Sequence, residues 1–387
     1  MGANMKLDKK SKVLILTHKL GANYGGIMQA YALQNYVKKL GFYVETTSPD
    51  TQASFIKSAK IGFKRYILKT FLNRKIDFLP NNEQLNVMSK NTKLFIDKNI
   101  NTINLYQNNK NPESVVNSFD NVIIGSDQVW RAVYVNVPLY MLGFIKSNIN
   151  RISYAASFGR DDLSEYGPKL IKKTTRLAKK FNAISVREDS GVDLCADYWG
   201  IHVTRHIDPT LLLAKNDYTK LIQNDAENVS ESKGNLFTYI LDRNSEKQTI
   251  VKMVVSKTGL TPFEVVPPVC KSNKDFRQNP EKFILPPVTQ WLKSFMDAKY
   301  VVTDSFHGCV FSIIFNKPFI AIGNKNRGLT RFTSLLKLFD LEDRLILDFN
   351  EINAEIVKEK IDWSKVNKKI TQERKRSNDF LEENLIK

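Results

Sequence analysis

The sequence predicts an α/β protein made of two doubly wound domains that face each other across a cleft. Three observations lead to this prediction. Short apolar runs alternate with segments of helical spacing, a polar stretch separates two such series, and 387 residues exceed what one hydrophobic core usually organises. Continuous apolar runs are typical of parallel strands that are buried on both faces.

The first series begins with KVLILT, residues 12–17, which reads as a buried parallel strand. A glycine-rich loop and a helix with apolar residues at helical spacing follow, and Gly41 ends this helix. Residues 43–47 complete a βαβ unit. The further strands of this series are predicted at NVIIGS, RISYAASFG, AISVRE and IHVTRHIDP, with a helix near 168–181.

The second series has strands predicted at LFTYIL, PFEVVP, KYVVTDS and PFIAIG, with helices near 289–298 and from about 329. Two series joined by a polar stretch indicate two domains. We expect an N-terminal domain over residues 1–213 with a basic insertion at 51–110, a linker at 214–235, a C-terminal domain over 236–345, and helices at 346–387 that pack back on the N-terminal domain.

The charge balance predicts anionic partners. Lysine and arginine number 58 against 40 acidic residues, which gives a formal charge of +18. No nucleic-acid-binding module is recognisable, so nucleic acid is not an expected partner. A membrane-spanning run of about 20 apolar residues is absent, and we expect a cytoplasmic chain. Three widely spaced cysteines argue against a disulfide framework or a structural zinc site, and we expect no metal ligands.

One basic segment allows two interpretations. Residues 54–75 combine seven lysines and arginines with aromatic and aliphatic residues. Such a helix can lie on an anionic membrane surface. It can also pack on the protein's own core with its lysines outward, which is the commoner arrangement.

Two charged residues follow predicted strands directly, where ligands of doubly wound sheets bind. Asp127 either orients a hydroxyl or acts as an acid, or it caps a helix, a role that Ser126 also fits. Arg187 either forms an ion pair with Glu188 or Asp189, or it binds a carboxylate or phosphate. The sequence leaves these alternatives open.

His307 is one of only four histidines and heads a predicted helix. We expect the helix dipole and Asp304 to set its charge state, Ser305 to cap the helix, and Gly308 to keep the backbone open. The alternative is a hydrogen-bonded core histidine.

Two other stretches suit an anionic ligand. In GNKNRGLTRF, Arg327 and Arg331 with Lys325 could form an anion pocket. The loop GANYGG, residues 21–26, either brings backbone N–H groups to a phosphate or sugar, or is a tight turn with Asn23 near the helix cap.

Seven segments, taken together and in this order, resemble the polysaccharide pyruvyl transferase family. The resemblance extends over about residues 13–345 and is least characteristic between 51 and 110. The segments are NYGGIMQAYALQNYVKKLGF, FDNVIIGSDQVW, SYAASFG, ISVRE, DPTLLL, VVTDSFHGCVFSIIFNKPF and NRGLTRFTSLL.

The resemblance implies a cytoplasmic bacterial enzyme with two Rossmann-like domains in a GT-B-like arrangement, the N-terminal domain on the acceptor side. Such an enzyme places a pyruvate ketal from phosphoenolpyruvate on a sugar of a surface polysaccharide or of its lipid-linked precursor. It needs no cofactor besides this donor substrate. A lipid-linked acceptor would agree with peripheral contact between the basic segment and the inner membrane surface.

Position by position, His307 falls on the family's histidine, Arg187 on the arginine of its S-x-R segment, and Asp127 on a carboxylate of the equivalent loop. We therefore expect His307 to act as the acid and Asp127 to orient or deprotonate an acceptor hydroxyl. Some members have an arginine where this chain has Ser305, so the group that holds the donor phosphate is open. The substrate-binding candidates are Asn23, Tyr24, Gly25, Ser126, Gln128, Trp130, Ser157, Ser305, Gly308, Arg327 and Arg331.

Two other functions remain in competition. A nucleotide-sugar glycosyltransferase of similar fold would need a carboxylate for the ribose, and none is evident after the second strand. A non-catalytic glycan-binding relative is kept open by Ser305.

Overall fold

The computed structural model of the chain describes residues 10–49, 80–106, 111–323, 328–348, 352 and 354–386. What we expect of the basic segment 54–75, of Lys325 and of Arg327 falls outside these residues and stays a prediction. The described residues form two parallel sheets with packed apolar cores around them.

The first sheet has six parallel strands in the order β2-β1-β3-β4-β5-β6. All six lie where the apolar runs predicted them. The order reverses between β1 and β3, as in a doubly wound sheet, so the loops after these strands open a crevice at the carboxyl edge. The strands are β1 (Lys12–Leu16), β2 (Tyr43–Thr47), β3 (Asn121–Ile124), β4 (Asn150–Ala156), β5 (Ala183–Val186) and β6 (Thr204–Arg205).

Helices on both faces of this sheet explain the apolar character of its strands. In β1, Val13 and Ile15 face one core, whereas Leu14 and Leu16 face the other. Because neighbouring side chains of a strand point to opposite faces, a strand covered on both sides has no polar face. The helices in this part of the chain are α1 (Tyr24–Lys39), α2 (Asn82–Met88), α3 (Lys90–Asn99), α4 (Pro112–Val116), α5 (Val137–Tyr140), α6 (Pro168–Ala178) and α7 (Asp189–Leu194). Of these, α2 contacts the second domain instead of the sheet, since Val87 and Met88 pack against the cluster that contains Phe276 and Phe283.

The segment 214–235, predicted as a polar linker, contains helix α8 (Lys215–Gln223). Its Tyr218, Leu221 and Ile222 are buried. The helical spacing of these three residues indicates a helix, but the polar composition of the segment led to the prediction of a linker. The division of the chain into domains at this segment stays a prediction.

The second sheet has five parallel strands in the order β11-β10-β9-β7-β8. The two-residue strand β11 was not predicted, because so short a segment has no recognisable pattern. The strands are β7 (Leu236–Tyr239), β8 (Pro262–Phe263), β9 (Tyr300–Thr303), β10 (Phe319–Ile322) and β11 (Leu345–Ile346). The helices are α9 (Ser245–Thr258), α10 (Asn273–Gln278), α11 (Val288–Asp297), α12 (Phe306–Ile314) and α13 (Thr330–Phe339).

An apolar interface joins the two domains beside the cleft. The ring of Tyr24 on α1 stacks on the ring of Trp291 on α11, with centroids 5.3 Å apart. The Tyr24 hydroxyl donates a hydrogen bond to the carbonyl of Pro286 at 2.8 Å. One apolar core continues from the first sheet into the second. Two doubly wound domains facing a cleft confirm the predicted fold class.

The chain ends with α14 (Ala354–Lys358) and α15 (Trp363–Asn384). Helix α15 packs against the first domain, although it follows the second in sequence. Its hydrogen bonds run from Arg374 Nε to Leu211 O at 2.6 Å, from the Tyr36 hydroxyl to Asn378 Oδ1 at 2.8 Å, and, just beyond the helix, from Ile386 N to Asn121 Oδ1 at 2.9 Å. None of the described helices combines the length and the apolar character needed to cross a membrane.

A buried histidine lies where α15 meets β6. His206 Nδ1 is 3.1 Å from Ser377 Oγ, and its ring centroid is 4.7 Å from that of Phe380. Burial, reinforced by Arg376 and Arg205, lowers the pKa of His206 to about 4. The folded protein therefore keeps this imidazole neutral at pH values where an unfolded chain would protonate it.

We expect His206 to make stability fall as the pH decreases from about 6.5 to about 4. In this window the unfolded chain binds a proton at His206 and the folded protein does not, which costs about 3 kcal/mol once complete. Urea unfolding at about pH 7 and about pH 4.5 measures the loss. His206→Gln, which can still hydrogen-bond Ser377, should show a clearly smaller loss between the two pH values. Equal losses in both proteins would contradict this account.

Candidate active site

Arg187, directly after β5, lies at the centre of a buried ion-pair cluster. Its Nε is 3.2 Å from Glu188 Oε1, its Nη1 2.7 Å from Asp208 Oδ2, and its Nη2 3.2 Å from Asp127 Oδ1. Asp189, the other partner considered for Arg187, pairs with Arg205 at 3.0 Å. Of the two roles predicted for Arg187, the structure thus shows the ion pair, and Arg187 pairs with three carboxylates instead of one.

The carboxylates that surround Arg187 fall into two classes. Burial alone would raise all their pKa values, but Arg187 and two histidines lower the pKa of Asp127 to about 2. Contact with His307 and Arg187 likewise holds the pKa of Asp208 well below its ordinary value. For Glu188, burial outweighs Arg187 and raises the pKa. Asp127 and Asp208 are therefore ionised at neutral pH.

The backbone holds Asp127 in an uncommon conformation at the end of β3. Its φ is 69°, in the left-handed region that residues other than glycine rarely adopt. Its carbonyl accepts a hydrogen bond from Ser157 N–H at 3.0 Å, which extends the pairing of the β3 loop with β4. The side chain of Asp127 is thereby turned towards Arg187.

Other loop residues that we predicted as substrate contacts have structural partners. Ser126 Oγ donates to the carbonyl of Ala155 at 2.6 Å. Ser157 Oγ accepts from Gly159 N–H at 3.0 Å. Trp130 lies in the core of the first domain and is fully buried, so its ring does not line the cleft.

Gln128 is buried, and its Nε2 has no hydrogen-bond partner within the described part of the chain. This amide nitrogen lies against Gly159, where an added Cβ would be 2.0 Å away. Of the predicted contacts after β3, Gln128 and Trp130 each have a side-chain N–H without a partner among the described residues, but the Trp130 ring lies inside the core.

His307 projects from the first turn of α12 between the two domains. Its Nε2 is 3.6 Å from Asp208 Oδ2, a charge contact that is longer than a hydrogen bond. The other side of the ring lies on Gly25 of α1, where an added Cβ would be 2.0 Å from Nδ1. The residue is 6% exposed, and Nε2 has no hydrogen-bond partner in the described structure. Only glycine at position 25 leaves room for this ring.

The prediction that Asp304 sets the charge state of His307 was wrong. Asp304 accepts hydrogen bonds from the backbone N–H groups of Leu241 and Asp242 at 2.7 and 2.9 Å, and from Lys247 Nζ at 2.6 Å. These bonds fix the loop after β7. Asp208, from the other domain, is the carboxylate that faces His307.

Of the two other expectations for the start of α12, the cap by Ser305 is confirmed, whereas the open backbone at Gly308 is not. Ser305 caps α12, since its Oγ accepts from Gly308 N–H at 3.4 Å. Gly308 is needed for packing, because a Cβ there would be 2.1 Å from Thr303 Oγ1. Thr303 therefore fills the space beside the Gly308 backbone.

Two helix N-termini meet at His307. Helix α1, capped by Asn23 through Gly26 N–H at 3.2 Å, starts against the His307 ring, and His307 itself lies in the first turn of α12. The first N–H groups of a helix have no intrahelical partner and favour an anion. Asn23 thus has the capping role, one of the two that the sequence left open.

Arg331 on α13 adds a cation to this junction. Its guanidinium carbon lies 5.7 Å from the centroid of the Phe306 ring, and that of Arg187 lies 4.4 Å from the same ring. Burial and the neighbouring Arg187 lower the pKa of Arg331 to about 10. Arg331 therefore stays charged at neutral pH beside the ion-pair cluster of Arg187.

Asp208 and Tyr134 are the residues that our sequence reasoning missed. Asp208 follows β6 just as Asp127 follows β3, so the same strand-end rule could have identified it. Tyr134 is 53% exposed and is held by Arg131, whose Nη1 donates to its hydroxyl at 3.2 Å. Glu165 in turn binds Arg131 Nε at 3.2 Å. No sequence signal marks an aromatic ring as exposed beside a cleft.

The chemistry that this junction allows is acid–base chemistry on an anion. One imidazole with an available nitrogen, one carboxylate from each of two loops, and one further arginine converge there. The described residues contain no group of three or more histidines, cysteines or carboxylates arranged to hold a metal ion.

We expect Arg187→Met to lower the free energy of unfolding by about 3–5 kcal/mol, because it leaves three buried carboxylates without their cation. Chemical denaturation at neutral pH measures the change. Arg160→Met is the control, since Arg160 pairs with Asp162 at the surface and such pairs contribute about 1 kcal/mol or less. Equal losses in the two variants would refute the role assigned to Arg187.

Solved structures that resemble this chain over nearly its full length share little of its sequence. A UDP-glucosyltransferase from Polygonum tinctorium is 11% identical over 96% of this chain and 94% of its own, with a TM-score of 0.44. MurG from Acinetobacter baumannii is 8% identical over 97% and 99%, with a TM-score of 0.39. The UDP-GlcNAc 2-epimerase from Methanocaldococcus jannaschii is 12% identical over 94% and 92%, with a TM-score of 0.46.

No curated protein matches the sequence. The family model for polysaccharide pyruvyl transferase matches residues 23–326. The matched region contains the start of α1 and the loops after β3, β4, β5, β6 and β9, which supply most of the side chains of the junction around His307. Because the match covers most of the chain, the protein belongs to the polysaccharide pyruvyl transferase family, whose activity is that of a transferase acting on polysaccharide.

Proposed function

We propose that the protein transfers the pyruvyl group of phosphoenolpyruvate to two hydroxyls of one sugar and forms a pyruvate ketal. The acceptor is a sugar of a surface polysaccharide or of its lipid-linked precursor. The observation that carries the proposal is His307, which is buried at the domain junction with an available Nε2 and faces Asp208 at 3.6 Å. Family membership supplies the reaction class.

The donor carries a phosphate and a carboxylate, which need several cationic or N–H donors. The first turn of α1, which contacts the His307 ring, and the first turn of α12, which carries His307, can provide such N–H groups. We assign Arg331, which stays charged and lies with Arg187 against the Phe306 ring, as the cation that contacts the donor. On this proposal Arg331 does the work of the arginine that other members carry at the position of Ser305.

The reaction requires one proton donor and two attacking hydroxyls. Protonated His307 gives its proton to the methylene carbon, the central carbon becomes electrophilic, and the first sugar hydroxyl adds to it. The bond from the central carbon to the phosphate oxygen then breaks, and the second hydroxyl adds. Of the two hydroxyl protons, one restores His307 and the other leaves with the phosphate. Asp208 stabilises the protonated imidazole at 3.6 Å.

Asp127 orients the acceptor in this scheme. With its pKa lowered to about 2, the carboxylate is a weak base, but it stays ionised and can accept a hydrogen bond from a hydroxyl. The exposed side chains of Val133 and Tyr134 lie on the same loop as Asp127 and offer an apolar face to a sugar ring. We therefore assign to Asp127 the orienting role and not that of the base.

We expect His307→Ala to reduce pyruvyl transfer by about 100-fold or more while the protein stays folded, because a general acid contributes about that factor. Purified protein, phosphoenolpyruvate and the polysaccharide fraction of a strain lacking the gene are incubated, and mass spectrometry follows the ketal. Full transfer by folded His307→Ala protein would sink the assignment.

Thermal stabilisation by ligands separates the competing functions in the unmodified protein. We expect phosphoenolpyruvate to stabilise it and a panel of nucleotide sugars to leave it unchanged. Stabilisation by a nucleotide sugar alone would instead favour a glycosyltransferase, and stabilisation by neither would favour a non-catalytic glycan-binding protein.

We expect Arg331→Gln to raise the KM for phosphoenolpyruvate by about tenfold or more, because a charge-assisted contact to the donor is lost. The stabilisation by phosphoenolpyruvate should shrink in parallel. Lys337→Gln, on the exposed side of the same helix, is the control and should change neither quantity. An unchanged KM in Arg331→Gln would leave the donor phosphate to other groups and contradict the proposal.

A further inference from the structure

Helix α6 and the two residues after it carry a row of exposed cations, which we name the α6 basic face. The row has a spacing of three or four residues and spans about 16 Å along the helix. Its members are Lys169, Lys172, Lys173, Arg176, Lys179 and Lys180, all exposed. Helix α6 itself contains no acidic residue.

The cations of this face lack the partners that other surface cations of the protein have. Elsewhere, Lys293 pairs with Asp297 at 2.8 Å, and Asp340 holds two lysines of α15 at 2.7 Å each. Around the α6 basic face, no carboxylate of the described structure lies within salt-bridge distance. Like charges at this spacing destabilise a helix, so the row has a cost that no intramolecular contact offsets.

The opposite side of α6 is fixed to the protein's own core. Leu177 and Ala178 are buried, and Thr174 Oγ1 accepts a hydrogen bond from Trp199 Nε1–H at 3.2 Å. The helix therefore cannot turn its apolar side towards a membrane. What it presents is a rigid, convex row of charges, with the 44% exposed Tyr198 next to Thr175.

We propose that the α6 basic face docks the protein on an anionic lipid bilayer. A straight row that is mostly ammonium groups suits a flat surface whose negative charges move laterally, and an amphipathic tyrosine suits its interface. A nucleic acid would be expected to meet interleaved stacking aromatics or a groove, and the six residues of this face provide neither.

The position of α6 links this surface to the cleft. The helix follows the loop that carries Ser157 and Gly159, so it starts at the carboxyl edge of the first sheet and runs back along the outside of the domain. Docking through this face therefore brings the rim of the cleft near the bilayer. The inference rests on the surface charges alone and is independent of the proposed transfer reaction.

Co-sedimentation of the full-length protein with vesicles tests the proposal. We expect binding to phosphatidylcholine vesicles that contain about 30% phosphatidylglycerol, no binding to phosphatidylcholine alone, and weakening above about 150 mM salt. The fourfold variant K169Q/K172Q/K173Q/K180Q should bind the anionic vesicles at least about tenfold more weakly.

The control variant K252Q/K257Q/K274Q/K282Q removes four exposed lysines of the second domain and so has the same net charge. We expect the control variant to bind with an affinity within about twofold of that of the unmodified protein. Both variants should have the melting temperature of the unmodified protein. Absence of binding by the unmodified protein, or equal loss in both variants, would overturn the proposal. Tighter, α6-dependent binding to a DNA or RNA duplex would do the same and would point to nucleic acid.

Discussion

The contact of Arg187 with three carboxylates is the interaction on which the arrangement of the cleft depends. The carboxylates come from the loop after β3, from the end of β5 and from the segment after β6, so one guanidinium ties three strand ends of the first sheet together. Such a buried cluster contributes little net stability, since the cost of desolvating the charges offsets much of their attraction. Its benefit is geometric: it fixes where Asp127 and Asp208 point, and it places the Arg187 guanidinium 4.4 Å from the Phe306 ring of the second domain.

The charge of the junction follows from the same cluster. The ionised Asp127 and Asp208 match the charges of Arg187 and Arg331, and burial raises the pKa of Glu188 beside them. The imidazole of His307, carried by the second domain, faces Asp208 of the first domain at 3.6 Å. In the proposed reaction, the anionic donor contacts Arg331 and the first N–H groups of two helices at this junction.

Much of the fold could be predicted from the sequence, because a parallel strand covered on both faces has a continuous apolar run. The rule that ligands bind after the carboxyl ends of the strands also selects Asp127, Arg187 and His307 from the sequence alone. It failed where burial depends on distant partners. Trp130 follows Asp127 closely, yet its ring turns into the core beside Trp199, and only the packing of the first domain decides that.

Distance in sequence also explains why Asp304, and not Asp208, was predicted as the carboxylate beside His307. Asp304 is three residues away, and a local argument selects it, but the start of α12 turns the two side chains in different directions. Asp304 holds the loop after β7, and the histidine crosses the cleft to Asp208. A cross-domain pair of this kind requires the domains to be docked, which the stack of Tyr24 on Trp291 achieves beside it. His307 and the carboxylate that faces it are therefore brought together by domain docking, so any motion that opens the cleft would separate them and leave His307 without this carboxylate.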